Sequence, residues 1–210
     1  MIAILDYGVG NLGSIVNMLK AIGEKSKITS NEEIIRKADG IILPGVGAFD
    51  AGMSKLEEAG LIPVVKEEAK KGKPLLGICL GMQLLGRGSE EGTLPGLGLI
   101  PFNCVRFRLE DSKLKVPHMG WDIVEFKKEH PILKGLIGTQ RYYFVHSYHA
   151  VCDSADNVLM TCDYGYEFAA AVVHKNVVGV QFHPEKSHDF GMALLKNFSN
   201  MTHSVMYDGE

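Results

Sequence analysis

Three short, uninterrupted apolar runs stand out in the first 80 residues of the chain. They are Ile2–Leu5, Ile41–Leu43 and Leu75–Ile78, and a turn-forming segment follows each of them. A short apolar run bounded by turn signals is typical of a fully buried strand. The pattern therefore predicts three buried strands, and buried strands of this kind occur in parallel sheets covered by helices.

Segments with helical spacing of apolar residues separate these runs. Apolar residues at positions 15, 16, 19 and 22 predict a helix over 13–22, with Gly23 as its end. Helix formers dominate 51–71 and predict two helices divided near Gly60 and Pro63, and residues 80–85 begin another helix. Strands and helices that alternate in this order predict a parallel sheet with helices on its faces.

The second half of the chain has a different pattern. Frequent Gly, Pro and alternating residues over 92–129 predict hairpins or mixed strands, and later strands are predicted at Tyr142–Val145, Glu167–Val173 and Val177–Phe182. A closing helix over Gly191–Phe198 and a frayed polar tail after Asn200 complete the pattern. We predict one α/β domain over residues 1–210, with a mixed, largely parallel central sheet flanked by helices and a smaller antiparallel sheet region.

Composition indicates a globular protein and excludes several kinds of partner. The 210 residues are 46% hydrophobic and 22% charged, with a formal net charge of -3. This charge balance provides no basic surface for nucleic acid or for an anionic membrane, and no apolar run is long enough to span a bilayer. The N-terminus lacks the features of a secretory leader, so we expect a cytoplasmic protein.

The four cysteines are Cys79, Cys104, Cys152 and Cys162, and they are widely scattered. In a reducing compartment such a distribution favours free thiols over disulfides. None of the usual zinc-ligand spacings is present. The sequence therefore predicts neither a metal site nor a cofactor.

Cys79 lies in a pattern that predicts a nucleophile. Residues 77–81 read Gly-Ile-Cys-Leu-Gly, the G-x-nucleophile-x-G form, between a predicted strand and a predicted helix. The glycines permit a sharp turn that presents the nucleophile at the end of the sheet, and a helix N-terminus favours its thiolate. A buried structural cysteine between two packing glycines is the alternative. The strand-turn-helix context favours catalysis.

A cysteine nucleophile needs a base, and the base needs a group that orients it. His183 and Glu185 lie two positions apart, and side chains two apart on an extended segment point to the same side. We therefore expect His183 to serve Cys79 and the Glu185 carboxylate to hold the imidazole. His146 follows an apolar strand and is either a second candidate base or part of the pocket wall. The other histidines are expected mainly on the surface or in loops: His118, His130, His149, His174, His188 and His203.

Two glycine-rich loops follow the first two predicted strands. Residues 44–47, Pro-Gly-Val-Gly, come at the sheet edge where Cys79 is expected, so their amides can donate to an oxyanion. Residues 8–13 form a literal G-x-G-x-x-G, which is the dinucleotide-binding pattern. The acidic residue expected after the second strand is not evident, because residues 41–43 run into Pro and Gly. This argues against a dinucleotide site.

Together these motifs resemble the class I (triad) glutamine amidotransferases. The resemblance rests on Leu-Gly-Ile-Cys-Leu-Gly-Met-Gln at 76–83 and Gly-Val-Gln-Phe-His-Pro-Glu at 179–185. Within that family the chain is similar to the glutaminase subunits of imidazole glycerol phosphate synthases. The narrower similarity rests on residues 6–13, 43–49, 117–121, 143–148 and 184–187. It covers nearly the whole chain and implies a flavodoxin-like sheet.

The resemblance implies that Cys79, His183 and Glu185 form a triad that hydrolyses L-glutamine to glutamate and ammonia through a glutamyl thioester. It also implies a (β/α)8-barrel cyclase partner, which uses the ammonia to form imidazole glycerol phosphate and an aminoimidazole carboxamide ribonucleotide in histidine biosynthesis. The implied oxyanion donors are Val46, Gly47 and Leu80, and we expect this hole not to be preformed. The implied glutamine-binding residues are Gly45, Gln83, Glu91, Val145, His146, Ser147 and Tyr148. The implied interface residues are Asn11, Trp121, Tyr143 and Lys186.

Two departures from the family pattern leave other assignments open. Asp122 stands where the family commonly has Asn, and Val9 lies in a variable turn where proline also occurs. A paralogue that supplies ammonia to another acceptor, such as a surface-polysaccharide sugar, would carry the same motifs. A standalone γ-glutamyl hydrolase would use the same cysteine without a partner. A non-enzymatic nucleotide-binding module would use only the N-terminal glycines.

Overall fold

The computed structural model describes residues 1–110 and 113–204. The strands are β1 (Ile2–Leu5), β2 (Ser26–Thr29), β3 (Gly40–Leu43), β4 (Leu75–Ile78), β5 (Gly88–Ser89), β6 (Phe102–Arg106), β7 (His118–Phe126), β8 (Gln140–His146), β9 (Tyr148–Cys152), β10 (Val158–Asp163), β11 (Glu167–His174) and β12 (Val177–Val180). The helices are α1 (Leu12–Ala21), α2 (Glu32–Lys37), α3 (Phe49–Glu58), α4 (Leu61–Lys70), α5 (Leu80–Leu84) and α6 (His188–Ser204).

One continuous sheet carries all of these strands. Its parallel half has the order β2-β1-β3-β4-β12, and the antiparallel strands β11, β10, β7 and β8 continue it. A branch leaves β11 through β9 to β6 and β5. The predicted mixed, largely parallel sheet with helices is confirmed, and the antiparallel region is an extension of the same sheet.

Successive residues of the parallel strands face two separate hydrophobic layers. Ile2 and Ile4 pack in the layer that contains α1 and α6, whereas Ala3 and Leu5 pack in the layer formed by α2 to α5. All four side chains are fully buried. Burial on both faces explains why these strands read as continuous apolar runs.

Several elements differ from the sequence-based expectation. The short strand β2 and helix α2 were not predicted, nor were β9 and β10. The closing helix begins at His188 and continues to Ser204, so the expectation of a frayed tail directly after Asn200 was wrong. The last residues of that expected tail, 205–210, lie outside the described residues. The predicted division of the 51–71 region is confirmed, because Gly60 adopts φ 69° between α3 and α4.

No helix in the described ranges, 1–110 and 113–204, is long and apolar enough to cross a membrane. The four cysteines are free thiols, as predicted.

Candidate active site

Cys79 occupies a strained turn between β4 and α5. Its φ of 54° and ψ of -111° are values that residues other than glycine rarely adopt, and such a conformation costs about 1–3 kcal/mol. The backbone N–H of Cys79 donates to the Val180 carbonyl at 2.8 Å, and the Gln83 N–H donates to the Cys79 carbonyl at 3.2 Å. Cys79 is therefore fixed between β12 and α5 at the carboxyl end of the parallel strands, where the sequence predicted it.

The glycines on either side allow this turn to pack against its neighbours. A β-carbon on Gly81 would lie 1.9 Å from the carbonyl oxygen of Leu43, and one on Gly77 would lie 2.8 Å from that of Gly81. Real β-carbons do not approach backbone oxygens so closely. Only glycine at both positions lets α5 begin this close to β3 and β4.

His183 and Glu185 form a buried pair. Their atoms Nδ1 and Oε1 are 2.7 Å apart, and each side chain is only 2% exposed. Because the carboxylate accepts, the proton lies on Nδ1, and Nε2 is left for another partner. Among the described residues, that Nε2 has no hydrogen bond. The pair forms through the 3₁₀ turn Pro184–Lys186, so the expectation of an extended segment here was wrong although the predicted contact exists.

The environment of His183 favours its charged form. Burial disfavours the imidazolium, but interactions with Cys79 and Glu185 outweigh burial and raise the pKa of His183 to about 9. A histidine stabilised in this way can accept and hold a proton from a nearby thiol. The arrangement therefore suits a thiolate–imidazolium pair.

A cavity of about 310 Å³ opens beside Cys79. Its lining contains both Cys79 and His183 together with nine of the other predicted site residues and Pro117, which was not predicted. The full lining is Val46, Gly47, Cys79, Leu80, Gln83, Glu91, Pro117, Val145, His146, Ser147, Tyr148 and His183. A larger cavity of about 680 Å³ along residues 126–134 contains no cysteine.

Gly45 is the one predicted glutamine-binding residue that does not line this cavity. A β-carbon on Gly45 would lie 2.9 Å from the backbone nitrogen of Gly81 and 2.9 Å from the hydroxyl of Tyr7. Gly45 therefore packs against the Cys79 turn, and its expected contact with the ligand stays a prediction. Its carbonyl accepts the Leu80 N–H at 3.3 Å.

That contact bears on the predicted oxyanion donors. While the Leu80 N–H is bonded to Gly45, it is not available to a ligand in the cavity. Gly47 adopts φ 99°, and Val46 is 44% exposed. The geometry is consistent with the expectation that the hole is not preformed.

The N-terminal glycine loop packs against the same segment. The Tyr7 hydroxyl donates to the Pro44 carbonyl at 2.5 Å, and a β-carbon on Gly10 would lie 3.0 Å from the Pro44 ring. Gly10 adopts φ 107°, a backbone conformation in which glycine is favoured. Packing thus accounts for the glycine at position 10 without a bound nucleotide.

Two buried glutamines lie behind the cysteine. The Gln83 amide donates to the Tyr148 carbonyl at 3.2 Å and to the Gln181 side-chain oxygen at 3.1 Å. Gln181 in turn directs its amide nitrogen at the Cys79 sulfur, 3.8 Å away. Gln83 therefore has only its oxygen left for a ligand. Gln181 was not predicted, although it lies two residues before His183 in the same motif.

The amino-acid sequence is similar to a known protein family over nearly its whole length. The sequence profile of the family described as "Glutamine amidotransferase class-I" matches residues 3–201. The chain belongs to this family. A relative from Pseudomonas aeruginosa, named imidazole glycerol phosphate synthase subunit HisH 2, is 54% identical over 199 residues, which cover 94% of this chain and 98% of the relative. A relative from Sulfurimonas denitrificans, named imidazole glycerol phosphate synthase subunit HisH, is 50% identical over 202 residues. These residues cover 95% of this chain and 97% of the relative.

Solved structures with the same fold are also similar to this chain. A structure titled as a glutamine amidotransferase has a TM-score of 0.74 at 20% identity and covers 96% of this chain and 98% of its own. The structure of PurLQS from Thermotoga maritima has a TM-score of 0.71 at 20% identity. The match covers 95% of this chain and 97% of the PurLQS chain. At this level of identity the two structures support the fold alone. The family profile and the relatives show that the chain is a glutamine amidotransferase.

The histidines of this amidotransferase are more deeply placed than expected. His118 is 2% exposed and His149 is 5% exposed, so the expectation of surface positions was wrong for both. Both pack around the Phe107 ring within the antiparallel region. His146 lines the cavity, but its Nδ1 lies 2.8 Å from the Tyr148 carbonyl and its Nε2 lies 3.1 Å from His118. Burial lowers the pKa of His146 to about 3, so His146 belongs to the pocket wall.

Three of the four expected interface residues form one exposed patch on the amidotransferase. Trp121, 42% exposed, stacks on His188 at 5.6 Å and meets Tyr143 edge-on at 6.3 Å. The Lys186 ammonium lies 5.7 Å from the Tyr143 ring. Asn11 is exposed directly before α1, and α1 packs against the turn that carries Lys186. Exposed tryptophan and tyrosine side chains such as these are enriched at protein-protein interfaces.

Proposed function

We propose that this chain hydrolyses L-glutamine to glutamate and ammonia. In this proposal Cys79 is the nucleophile, His183 is the general acid and base, and Glu185 orients His183. The observation that carries the proposal is the buried 2.7 Å contact between His183 and Glu185, with His183 in the same cavity as the strained Cys79.

The proposed reaction proceeds in two halves. The Cys79 thiolate attacks the side-chain amide carbon of glutamine, and the tetrahedral oxyanion is stabilised by backbone N–H groups of Leu80 and the Val46–Gly47 loop. The imidazolium of His183 then protonates the leaving nitrogen, which departs as ammonia and leaves a glutamyl thioester. A water molecule, deprotonated by His183, attacks the thioester, and collapse of the second oxyanion restores the thiol and releases glutamate.

The cavity walls offer polar groups for the rest of the substrate. The free side-chain oxygen of Gln83 is an acceptor for an amide or ammonium group, and the adjacent segment 145–148 also lines the cavity. One Glu91 oxygen accepts the Phe49 N–H at 2.9 Å, which fixes the carboxylate at the cavity rim. Its second oxygen is placed to attract the substrate ammonium. We assign these residues to glutamine binding.

We further propose that the ammonia passes to a (β/α)8-barrel cyclase partner, which forms imidazole glycerol phosphate and an aminoimidazole carboxamide ribonucleotide. Relatives about 50% identical over nearly their whole length, whose names make them subunits of imidazole glycerol phosphate synthase, support this assignment. The patch around Trp121, Tyr143 and Lys186 offers the partner a docking site beside the turn that holds Glu185.

A second candidate is a paralogue that delivers ammonia to another acceptor, such as a surface-polysaccharide sugar. Two relatives, from Pseudomonas aeruginosa and Methanococcus maripaludis, carry the number 2 in the name HisH 2, and they are 54% and 53% identical to this chain. Asp122, which replaces the common Asn, lies on β7 together with Trp121 of the interface patch. A carboxylate at position 122, next to the interface patch, would favour a partner with a different surface from the histidine-pathway cyclase.

Glutaminase turnover measured alone and with a histidine-pathway cyclase and its ribonucleotide tests both candidates. Strong stimulation that disappears in Cys79→Ala supports the histidine-pathway proposal. Stimulation only by a cyclase homologue from a polysaccharide pathway supports the paralogue. High activity of the isolated chain contradicts both and indicates an independent hydrolase.

A further inference from the structure

Three potential metal ligands converge next to the glutamine cavity, and none has a role in the proposed reaction. The ligand atoms of His118, Asp122 and Cys162 all lie within 4.8 Å of one another. His118 Nε2 and Asp122 Oδ2 are 3.3 Å apart. His118 and Asp122 lie four residues apart on β7. Cys162 lies on β10, where it pairs with Val124 of β7. Alternation along β7 and direct pairing with β10 place all three side chains on one face.

The hydrogen bonds of the adjacent histidine determine which His118 nitrogen is free. His146 Nδ1 lies 2.8 Å from the Tyr148 carbonyl, a pure acceptor, so this nitrogen carries the hydrogen. The buried, neutral His146 ring then has a lone pair on Nε2. His118 Nδ1, 3.1 Å from it, must donate. A neutral His118 therefore points the lone pair of Nε2 at the Asp122 carboxylate.

Two acceptors that face each other at 3.3 Å repel unless a cation or a proton lies between them. Cys162 adds a third ligand atom to this position. The Cys162 sulfur lies 3.8 Å from the Asp163 carbonyl and also within hydrogen-bonding reach of the Asp122 carboxylate, so it faces the centre of the cluster. A cation at this centre would contact all three ligand atoms.

The rings around the cluster hold His118 in a fixed orientation. Tyr164 stacks on one side with a centroid distance of 4.0 Å, and Phe144 stacks with a distance of 4.8 Å. Cys162 and His118 are each 2% exposed, whereas the Asp122 side chain is 34% exposed. The ligands are therefore preorganised, and Asp122 provides a route for an ion from solvent.

We propose that His118 Nε2, the Asp122 carboxylate and the Cys162 thiolate form a Zn²⁺ site, with water as the fourth ligand. One sulfur, one imidazole nitrogen and one carboxylate oxygen match the donor preferences of Zn²⁺, which binds such sets tetrahedrally. Binding displaces the thiol proton to solvent, and the Zn–S bond forms in its place. This proposal replaces the expectation of no metal, which rested on cysteine spacing alone, and it does not depend on the glutaminase proposal.

Titration of the metal-free, full-length Cys79→Ala protein with Co²⁺ tests the site. The Cys79→Ala background removes the other buried Cys–His–carboxylate group, which would compete for the ion. We expect one equivalent of Co²⁺ to bind, with a sulfur-to-cobalt charge-transfer band and strong visible bands of a four-coordinate ion. Zn²⁺ should displace the Co²⁺ stoichiometrically and bleach these bands.

Two ligand variants and one control make the test specific. Cys162→Ser should abolish the charge-transfer band, and Asp122→Asn, a nearly isosteric change, should weaken Zn²⁺ binding by at least about 100-fold. Cys152→Ser, which alters a thiol of β9 outside the cluster, should leave both unchanged. Thermal unfolding of each variant verifies that it is folded. Absence of saturable binding, or a charge-transfer band that persists in folded Cys162→Ser protein, would overturn the proposal.

Discussion

Replacing Glu185 with Gln separates the charge of this side chain from its shape. Glutamine keeps nearly the same size, and its oxygen can still accept the Nδ1–H of His183 at the 2.7 Å seen here. The negative charge is lost, and with it one of the two interactions that raise the pKa of His183 from 6.5 to about 9. The imidazole should stay in place and become easier to deprotonate.

The size of the effect follows from the geometry. Two opposite charges separated by the observed 2.7 Å attract by about 6 kcal/mol at an effective dielectric constant of 20, and burial of both groups offsets much of this. We expect the pKa of His183 to fall by at least about one unit, which corresponds to about 1.4 kcal/mol and to a tenfold smaller population of the imidazolium–thiolate pair. Glutaminase kcat/KM in the presence of the partner should fall by about tenfold or more.

The same shift predicts how stability depends on pH. Because the pKa of His183 is higher in the folded state than its usual 6.5, its contribution is complete below pH 6.5 and is lost as the pH rises through about 9. The difference in free energy of unfolding between wild type and Glu185→Gln should be largest below pH 6.5. It should shrink as the pH approaches 9.

Histidine-labelled protein followed by NMR gives the pKa of His183 directly, with His183→Asn to assign the signal. Urea unfolding at several pH values gives the stability difference. Glu91→Gln is the matched control, because Glu91 lines the same cavity but accepts its hydrogen bond from the Phe49 N–H and not from His183. An unchanged pKa in Glu185→Gln, or an equal fall in Glu91→Gln, would refute the reasoning.

Three further changes probe the packing, the cysteine environment and the interface. Gly81→Ala places a β-carbon 1.9 Å from a backbone oxygen and should cost about 3 kcal/mol or more in urea unfolding, whereas Gly88→Ala, with no atom nearer than 3.8 Å, should stay within about 1 kcal/mol. Gln181→Leu leaves one N–H of the buried Gln83 amide without its acceptor, so we expect a loss of about 1–3 kcal/mol and a changed rate of iodoacetamide labelling of the Cys79 thiol. Trp121→Ala should weaken cyclase binding by at least about tenfold in a calorimetric titration, and Ile137→Ala, at an exposed position in the loop before β8, should not.

The fold was predictable where side chains alone determine the structure. Strands β1, β3 and β4 are buried on both faces, so each leaves an uninterrupted apolar run in the sequence. Strand β2 leaves no such run, because Lys27 and Ile28 are exposed at the edge of the sheet. It is held by backbone pairing with β1, which no side-chain pattern records.

The site was predictable where a short motif carries its chemistry. Cys79, His183 and Glu185 each lie in a segment whose residue types already indicate a role, and the structure brings Cys79 and His183 to one cavity. His118 was placed wrongly because its burial depends on strand pairing between β7 and β8. The approach of Cys162 to His118 depends in the same way on the register of β10 with β7, which cannot be inferred from spacing along the chain.

In the proposed mechanism the contact between Leu80 and Gly45 occupies one oxyanion donor, so we expect the isolated chain to turn glutamine over slowly. An oxyanion needs a free N–H at the Cys79 turn, and the Gly45 carbonyl occupies that group at 3.3 Å. The bond is long, so its loss costs only about 0.5–1.5 kcal/mol. In the proposed mechanism a partner that moves the Gly45 carbonyl away from Leu80 needs to supply only that energy, so we expect activation to change this loop and to leave Cys79, His183 and Glu185 in place.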